Sequence, residues 1–338
     1  MKVNIFDVAK RSGLSVVTVS RVLNQASSVR AKNREKVLQA MRELGYHPNA
    51  SARSLARGKT GIIGLSLTTL DDSFLDAVVK ELNDRLAVSG YFLALTISGS
   101  TAEAFQRSLY QEDRVDGVIL LSPVDESEYV QELQKKRIPF ILIDNSKPYP
   151  EVSSVVVDNF KGGYEATKHL IDLGHREIAH IAGPDLFLSS RERERGYLAA
   201  LAEADLDPYV VERGSFKIAT GYDTAMRWID TGKLPSAVFA ADDHIALGVM
   251  NACMLRGVRI PEELSIVGYD DQTFASQFRP PLTTVRQPAD RIGEAGAELL
   301  LETIKDSAGP KRTVLVEPKL VVRETTQRKQ RMFDNGRE

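Results

Sequence analysis

The sequence predicts a two-part protein: an N-terminal all-α helix-turn-helix head and a larger α/β body built on parallel sheets. Three observations predict it. Apolar β-type runs recur between residues 61 and 270 and alternate with helical patterns of ten or more residues. Such alternation gives parallel sheets with helices on both faces. The first 59 residues break instead at Gly13 and Gly45 into short helical patterns. The charge divides at the same place. Residues 1–59 hold twelve Lys/Arg against three Asp/Glu, a net of +9, while the whole chain sums to -2, leaving -11 for the rest. A basic head on an acidic body points to a polyanionic partner for the head.

At 338 residues the chain is too long for one ordinary core, and two or three domains are expected. Apolar content (43%) and charged content (27%) are those of a globular protein. No apolar run is long enough for a membrane span. The opening MKVNIFDVAKRSG lacks the apolar core of a signal peptide, so the cytoplasm is the expected compartment. A single cysteine, Cys253, excludes an internal disulfide and a multi-cysteine metal site, and five scattered histidines show no ligand spacing. Neither a glycine-rich phosphate fingerprint nor a nucleophile elbow occurs. The chain is therefore not expected to be an enzyme, and no cofactor or metal is expected.

In the head, Asn4 and Asp7 form an Asn/Asp variant of a capping box, and Gly13 is a C-terminal glycine, which bounds a first helix at about 5–12. Ser15 is a good N-cap for a second helix a few residues later, the helix-turn-helix layout. That second helix contains LSVVTVSRVLN, a strand by propensity alone. Placed at 100° per residue, however, Val19, Val22 and Leu23 share one stripe, with Val17, Ser20, Arg21 and Asn24 opposite. Val17 is then an exposed apolar residue. It suits a thymine methyl, with Arg21 reaching guanine or phosphate, or it is simply a tolerated surface valine. A third helix is predicted at about 33–44, with Val37, Leu38, Met41 and Leu44 at helical spacing. Pro48 breaks the chain. Residues 49–59 read as a basic linker that folds into a hinge helix on DNA, with Leu55 as its only large apolar residue.

In the body, eight strands are predicted, at 61–67, 91–97, 116–122, 139–144, 154–159, 177–183, 236–242 and 264–270. About 265 residues of this pattern suggest two lobes, and ligands in such folds bind at the carboxyl ends of the strands. The polar and aromatic residues there are Asp144, Asp242 and Asp270, with Phe216 and Arg193 in following segments. A stacking aromatic with carboxylates and a forked guanidinium suits a polyhydroxylated ligand. Each aspartate taken singly is also a plausible helix N-cap, and Arg193 a surface partner for Glu192 or Glu194.

The strings DVAKRSGLSVVTVSRVLN, NREKVLQAMRELGYHPN and ARSLARGKTGIIGL, continued by HLIDLGHREIAHIAGP, ADDHIALGVMNACMLRGVRIPEELSIVGYDD and PPLTTVRQP, resemble the lactose-repressor (LacI/GalR) family of bacterial transcription regulators over nearly the whole chain. The resemblance implies a periplasmic-binding-protein-like body and a homodimer on a pseudo-palindromic double-stranded DNA operator. It implies base contacts from Val16, Val17 and Arg21, and phosphate contacts from Ser15, Thr18, Ser20 and Asn24. Asn49 joins the DNA contacts, and Leu55 is the minor-groove wedge. It implies effector contacts from Phe74, Asp144, Arg193, Phe216, Asp242 and Asp270, the effector being a sugar or sugar derivative. The domains are then 1–48 (head), 49–59 (hinge), 60–325 (effector binding and dimerisation) and 326–338 (polar tail). The lobes are discontinuous, about 60–160 with 290–322 against 161–289. Two positions depart from the family pattern. Arg30 stands where a small hydroxyl residue is common, and Asp242 where asparagine is usual. The tail has no leucine heptads for a tetramer seam. The implied function is an effector-switched repressor. An activator, a corepressor-dependent regulator and a sugar-binding transport protein are the alternatives.

Overall fold

The computed structural model describes residues 3–23, 26, 28–46, 59–70, 72–97, 114–123 and 126–329. They divide into two compact units, a head that ends near Gly61 and a body that starts at Ile62.

The head is three helices, α1 (Ile5–Ser12), α2 (Val16–Leu23) and α3 (Ala31–Leu44). The capping box closes on α1: the Asn4 side chain accepts from the Phe6 and Asp7 amides, and Asp7 accepts from the Asn4 amide at 2.9 Å. Gly13 and Gly45 end α1 and α3 with φ of 68° and 60°, the left-handed region a side chain resists. Val8, Ala9, Val19, Val22, Val37 and Ala40 form the core, with Leu23, Met41 and Leu44 against it. Two details differ from the sequence reading. Helix α3 starts at Ala31, because the Arg30 carbonyl already accepts from Asn33 and Arg34, although its side chain makes no cap. Leu38 is exposed and Ala40 buried. Residues 37, 40, 41 and 44 are spaced i, i+3, i+4, i+7, so Ala40 completes the stripe that Leu38 was expected to share.

The body has two six-stranded sheets. The first runs β11-β5-β4-β3-β1-β2, from β1 (Ile62–Leu67), β2 (Phe92–Ile97), β3 (Gly117–Leu121), β4 (Phe140–Ile143), β5 (Ser154–Val157) and β11 (Thr313–Val316), all parallel. Helices α4 (Ser73–Val88), α5 (Glu126–Lys135) and α10 (Ala289–Lys305) belong to this lobe; α4 and α10 bury Val78, Leu82, Leu86, Leu299 and Leu300 against Ile63, Leu65 and Ile141. The second sheet runs β12-β10-β9-β8-β6-β7, from β6 (Ile178–Ala182), β7 (Val210–Arg213), β8 (Ala237–Ala240), β9 (Ser265–Asp270), β10 (Thr283–Arg286) and β12 (Lys319–Val321). It carries α6 (Asn159–Asp172), α7 (Leu188–Glu203), α8 (Ile218–Asp230) and α9 (Asp243–Arg256).

All eight predicted strands are present, and most are buried as a continuous apolar run should be, the edge strand β2 being the exposed exception with Phe92, Leu95 and Ile97 open to solvent. Strands β7, β10, β11 and β12 are additional; β7, β11 and β12 lie at sheet edges and are only partly buried, and β10 reads TTVR rather than a continuous apolar run. The chain passes between the sheets after β5, after β10 and after β11. The expected lobe boundary near 322 is corrected: β12 pairs antiparallel with β10, so 319–321 belong to the second sheet. The expected polar tail also begins inside that lobe. Thr325 is fully buried and its hydroxyl donates to the Ile266 carbonyl at 2.7 Å, and the Lys329 amide donates to Leu173.

Candidate functional site

In the head, α2 separates its residues by the 3.6 period. Val19 and Val22 are buried, while Val17 is 61% exposed and Arg21 is exposed beside it. Ser15 caps the helix: its hydroxyl accepts from the Thr18 amide at 3.2 Å and lies 2.9 Å from the Thr18 hydroxyl. Ser20 is half-buried, and Val16 is half-buried against the head core. A free apolar side chain and a guanidinium thus share the solvent face of a helix held rigidly by its other face. Asn24, Asn49 and Leu55 lie outside the described residues.

In the body, a cleft of about 700 Å³ lies between the lobes. It contains all six expected residues, Phe74, Asp144, Arg193, Phe216, Asp242 and Asp270. Their placement follows from topology. Thr68 and Thr69 follow β1, Ser122 follows β3, Asp144 follows β4, Phe216 follows β7, Asp242 follows β8 and Gln287 follows β10, all at carboxyl ends of parallel strands. In both sheets this is where strand order reverses around the first strand, which opens a crevice. Ser122 (φ 46°), Asp144 (φ 56°) and Asp270 (φ 104°) hold positive backbone angles. Such angles are unfavourable for residues with a Cβ and gather at ligand sites because they aim side chains inward.

Arg193 is the centre of the cleft. Its helix α7 approaches α6 closely because Gly163 and Gly196 face backbone atoms; a Cβ at either would lie 2.2 Å from a carbonyl oxygen of the other helix. Arg193 is only 4% exposed. Its Nε donates to Asn159 Oδ1 at 2.9 Å and its Nη1 to the Ala241 carbonyl at 2.7 Å. Its guanidinium stacks 3.7 Å over the Tyr269 ring, and Nη2 lies 3.5 Å from Asp270. The sequence-level alternative of a surface bridge with Glu192 or Glu194 is therefore corrected, since Glu192 pairs with Arg195 and Glu194 with Arg213. Phe216 lies over Gly183, where a Cβ would come within 2.3 Å of the ring, and tilts against Phe187 at 5.8 Å.

The carboxylates are doubly employed. Asp242 caps α9, accepting from the Ile245 amide at 2.7 Å, so the N-cap reading and the cleft reading hold together. Asp144 accepts from the Ser122 hydroxyl at 2.8 Å, and Asp270 from Gln287 at 2.6 Å. Burial pushes the carboxyls of Asp72 and Asp144 above their ordinary values, and that of Asp270 well above; for Asp144 and Asp270 the Arg193 charge opposes the shift.

Sequence reading missed Asp72, Ser122, Phe187, His244 and Gln287 among the lining residues. Asp72 and His244 had a signal. Asp72 is the N-cap of the helix that carries Phe74, accepting from the Phe74 amide at 2.9 Å, and His244 follows the Asp242–Asp243 pair. Asp243 itself points away from the cleft into the lobe, accepting from the Thr284 hydroxyl at 2.6 Å and the Gln272 amide at 2.7 Å.

Among the described residues, Ser73 and Arg191 bridge the lobes at the cleft. The Ser73 hydroxyl donates to Gln272 Oε1 at 3.1 Å and accepts from the Thr273 amide at 3.3 Å. Arg191 donates to the Ser146 carbonyl at 2.9 Å.

A helix-turn-helix head joined to a two-lobed body with a polar interlobe cleft defines a class of protein, the DNA-binding regulator with a periplasmic-binding-protein-like domain. The chain matches the model of bacterial regulatory proteins of the lacI family over residues 4–49 and that of a periplasmic binding protein-like domain over 167–326. It is 37% identical over 332 residues to the HTH-type transcriptional repressor PurR of Vibrio cholerae serotype O1, covering 95% of this chain and 97% of that one. The chain belongs to the LacI family. Among solved structures it is similar to the lac repressor dimer bound to operator and the anti-inducer ONPF, with a TM-score of 0.87 and 32% identity over 97% of this chain and 100% of that one. It is also similar to a complex of the transcriptional regulator CelR with cellobiose, with a TM-score of 0.74 and 32% identity over 96% and 100%. Among the described residues, no helix is long and apolar enough to cross a membrane.

Proposed function

We propose that the protein is a sequence-specific DNA-binding repressor whose operator affinity is set by a small polyhydroxylated molecule held in the interlobe cleft. One observation carries the reading: a single chain joins a helix-turn-helix head to a cleft whose polar groups come from both lobes. A ligand that touches both lobes binds one interlobe arrangement better than another, and that difference in affinity is what shifts a two-state regulator. Arg193 serves as a binding residue, because two of its donors are already held by protein acceptors. The cellobiose complex of a relative supports a carbohydrate-type ligand.

The protein acts as a homodimer, two heads placing α2 in successive major grooves of a pseudo-palindromic operator. Apolar surface for such an assembly is present. Val88 is 90% and Phe92 78% exposed around the edge strand β2, and Met254 is 78% exposed on α9. In this reading Ser15, Thr18, Ser20 and Asn24 hold phosphates, Asn49 contacts DNA, and Leu55 wedges a minor-groove step. The head and hinge are read as 1–48 and 49–59.

The test is fluorescence anisotropy of operator DNA selected from a random library, titrated with and without sugars. Operator affinity that no cleft ligand changes would sink the switching role. Two variants refine it. Arg21→Ala should cost about 1–3 kcal/mol against one base pair of the selected site, as a bidentate base contact does. A uniform loss over all sequences would instead make Arg21 a phosphate contact. Ser73→Ala removes the hydroxyl that joins the lobes at Gln272 and Thr273. Effector affinity should fall roughly tenfold, the worth of one or two net hydrogen bonds. Calorimetry with unchanged affinity would show that these bonds do not favour the ligand-bound arrangement.

A further inference from the structure

Among the described residues, the cleft lining carries an excess of acidic groups that a neutral sugar leaves uncompensated in charge. Four carboxylates, Asp72, Asp144, Asp242 and Asp270, line it against Arg193, His244 and the exposed rim residue Lys217. With all four carboxyls ionised, the described lining groups stay negative even when His244 is protonated. Each carboxylate has one oxygen held by the protein: Asp72 by the Phe74 and Leu75 amides, Asp144 by Ser122, Asp242 by the Ile245 amide, Asp270 by Gln287. The second oxygens of Asp72, Asp144 and Asp270 accept no hydrogen bond from the described residues, and that of Asp242 lies 3.6 Å from His244 Nδ1. None of these oxygens is sealed from solvent. The buried cation among the described lining residues is already partly engaged, since Arg193 faces Asn159, the Ala241 carbonyl, the Tyr269 ring and Asp270.

Among the described residues, acceptor oxygens therefore outnumber the donors turned into the space. An anionic group entering it meets like charge at low dielectric, whereas a cation satisfies acceptors that are otherwise costly to bury. We propose that the ligand of this cleft is a polyhydroxylated molecule bearing a positive charge, an amino sugar or aminated polyol, selected by Asp72 and Asp242. The inference rests on the reading of the cleft as the effector site. It also gives the Asp242 side chain a second role: the carboxylate keeps the helix cap and adds a charge.

The test is a thermal-shift and calorimetric comparison on the full chain. The probes are hexosamines and aminopolyols, their parent hexoses and polyols, hexose 6-phosphates and hexuronates. The amine-bearing member of a matched set should bind about tenfold or more tightly than its parent, and the phosphate and acid should bind most weakly. Asp72→Asn and Asp242→Asn retain the helix caps, because asparagine caps as well as aspartate. Each should cut the ratio of amine to parent affinity about tenfold. A panel in which no amine-bearing compound raises the melting temperature overturns the proposal. So does one in which a neutral parent, a phosphate or an acid binds best. If such a neutral or anionic ligand loses its effect in Phe216→Ala, the cleft remains the effector site and only the charge assignment fails. A ligand whose effect survives Phe216→Ala, Asp72→Asn and Asp242→Asn together overturns the cleft reading itself.

Discussion

Replacing Arg193 by leucine is expected to lower the stability of the body by about 3–5 kcal/mol, the cost of removing one partner from a buried ion pair. For a unit of this size that is roughly 6–20 °C in melting temperature. Both side chains of the Arg193–Asp270 pair are buried, 5% and 7% exposed, so solvent does not screen the loss. The Asn159 carboxamide and the Ala241 carbonyl lose their donors as well. The deficit should depend on pH with a definite sign. Burial already holds the Asp270 carboxyl well above its ordinary value, and loss of the guanidinium raises it further. A carboxyl raised in the folded state favours folding while protonated, and that advantage is lost as pH rises through its folded value. The Arg193→Leu defect should therefore be smaller at acid pH than at neutral pH. Adding Asp270→Asn should restore much of the stability without restoring ligand binding. A double variant no more stable than Arg193→Leu would show that the cost lies in packing against Tyr269.

The second large effect is expected in the head. Val19→Asp should abolish operator binding altogether while leaving ligand-induced stabilisation of the body intact. Val19 is fully buried in a core of six small residues, Val8, Ala9, Val19, Val22, Val37 and Ala40. An unpaired carboxylate there costs several kcal/mol, and a three-helix unit this small has little stability to lose. Val17→Ala, two residues away on the exposed face, should change head stability by less than about 0.5 kcal/mol and alter only the preferred base. Circular dichroism melts and operator selection on the two variants read the contrast. Equal loss of fold in both would refute the division of α2 into a core face and a reading face.

The two variants show why LSVVTVSRVLN was legible. Valine is a poor helix former, yet the 3.6-residue period places Val19 and Val22 inward, and that outweighs propensity. Most of the eight predicted strands were legible for a similar reason, since strands buried on both faces are continuous apolar runs. Strands β7, β10, β11 and β12 were not. β7, β11 and β12 sit at sheet edges where one side of each is free of the apolar demand, and β10 reads TTVR, without a continuous apolar run. Leu38 misled because apolar character alone does not distinguish the edge of a helical stripe from its centre.

The sequence by itself determined the two-part organisation, the helix-turn-helix, the parallel body and six residues of the cleft. Charge segregation, cap residues and hydrophobic period are local properties, written in consecutive residues. What only the tertiary structure decided is which side chains face one another. Asp72 and His244 are far apart in the chain and on different lobes, and Arg193 finds its partners on three separate segments. Those encounters depend on the three crossings between sheets and on the close approach that Gly163 and Gly196 permit. Such contacts are set by the packing of whole elements, so the acidic balance of the cleft is a property of the fold that no single segment contains.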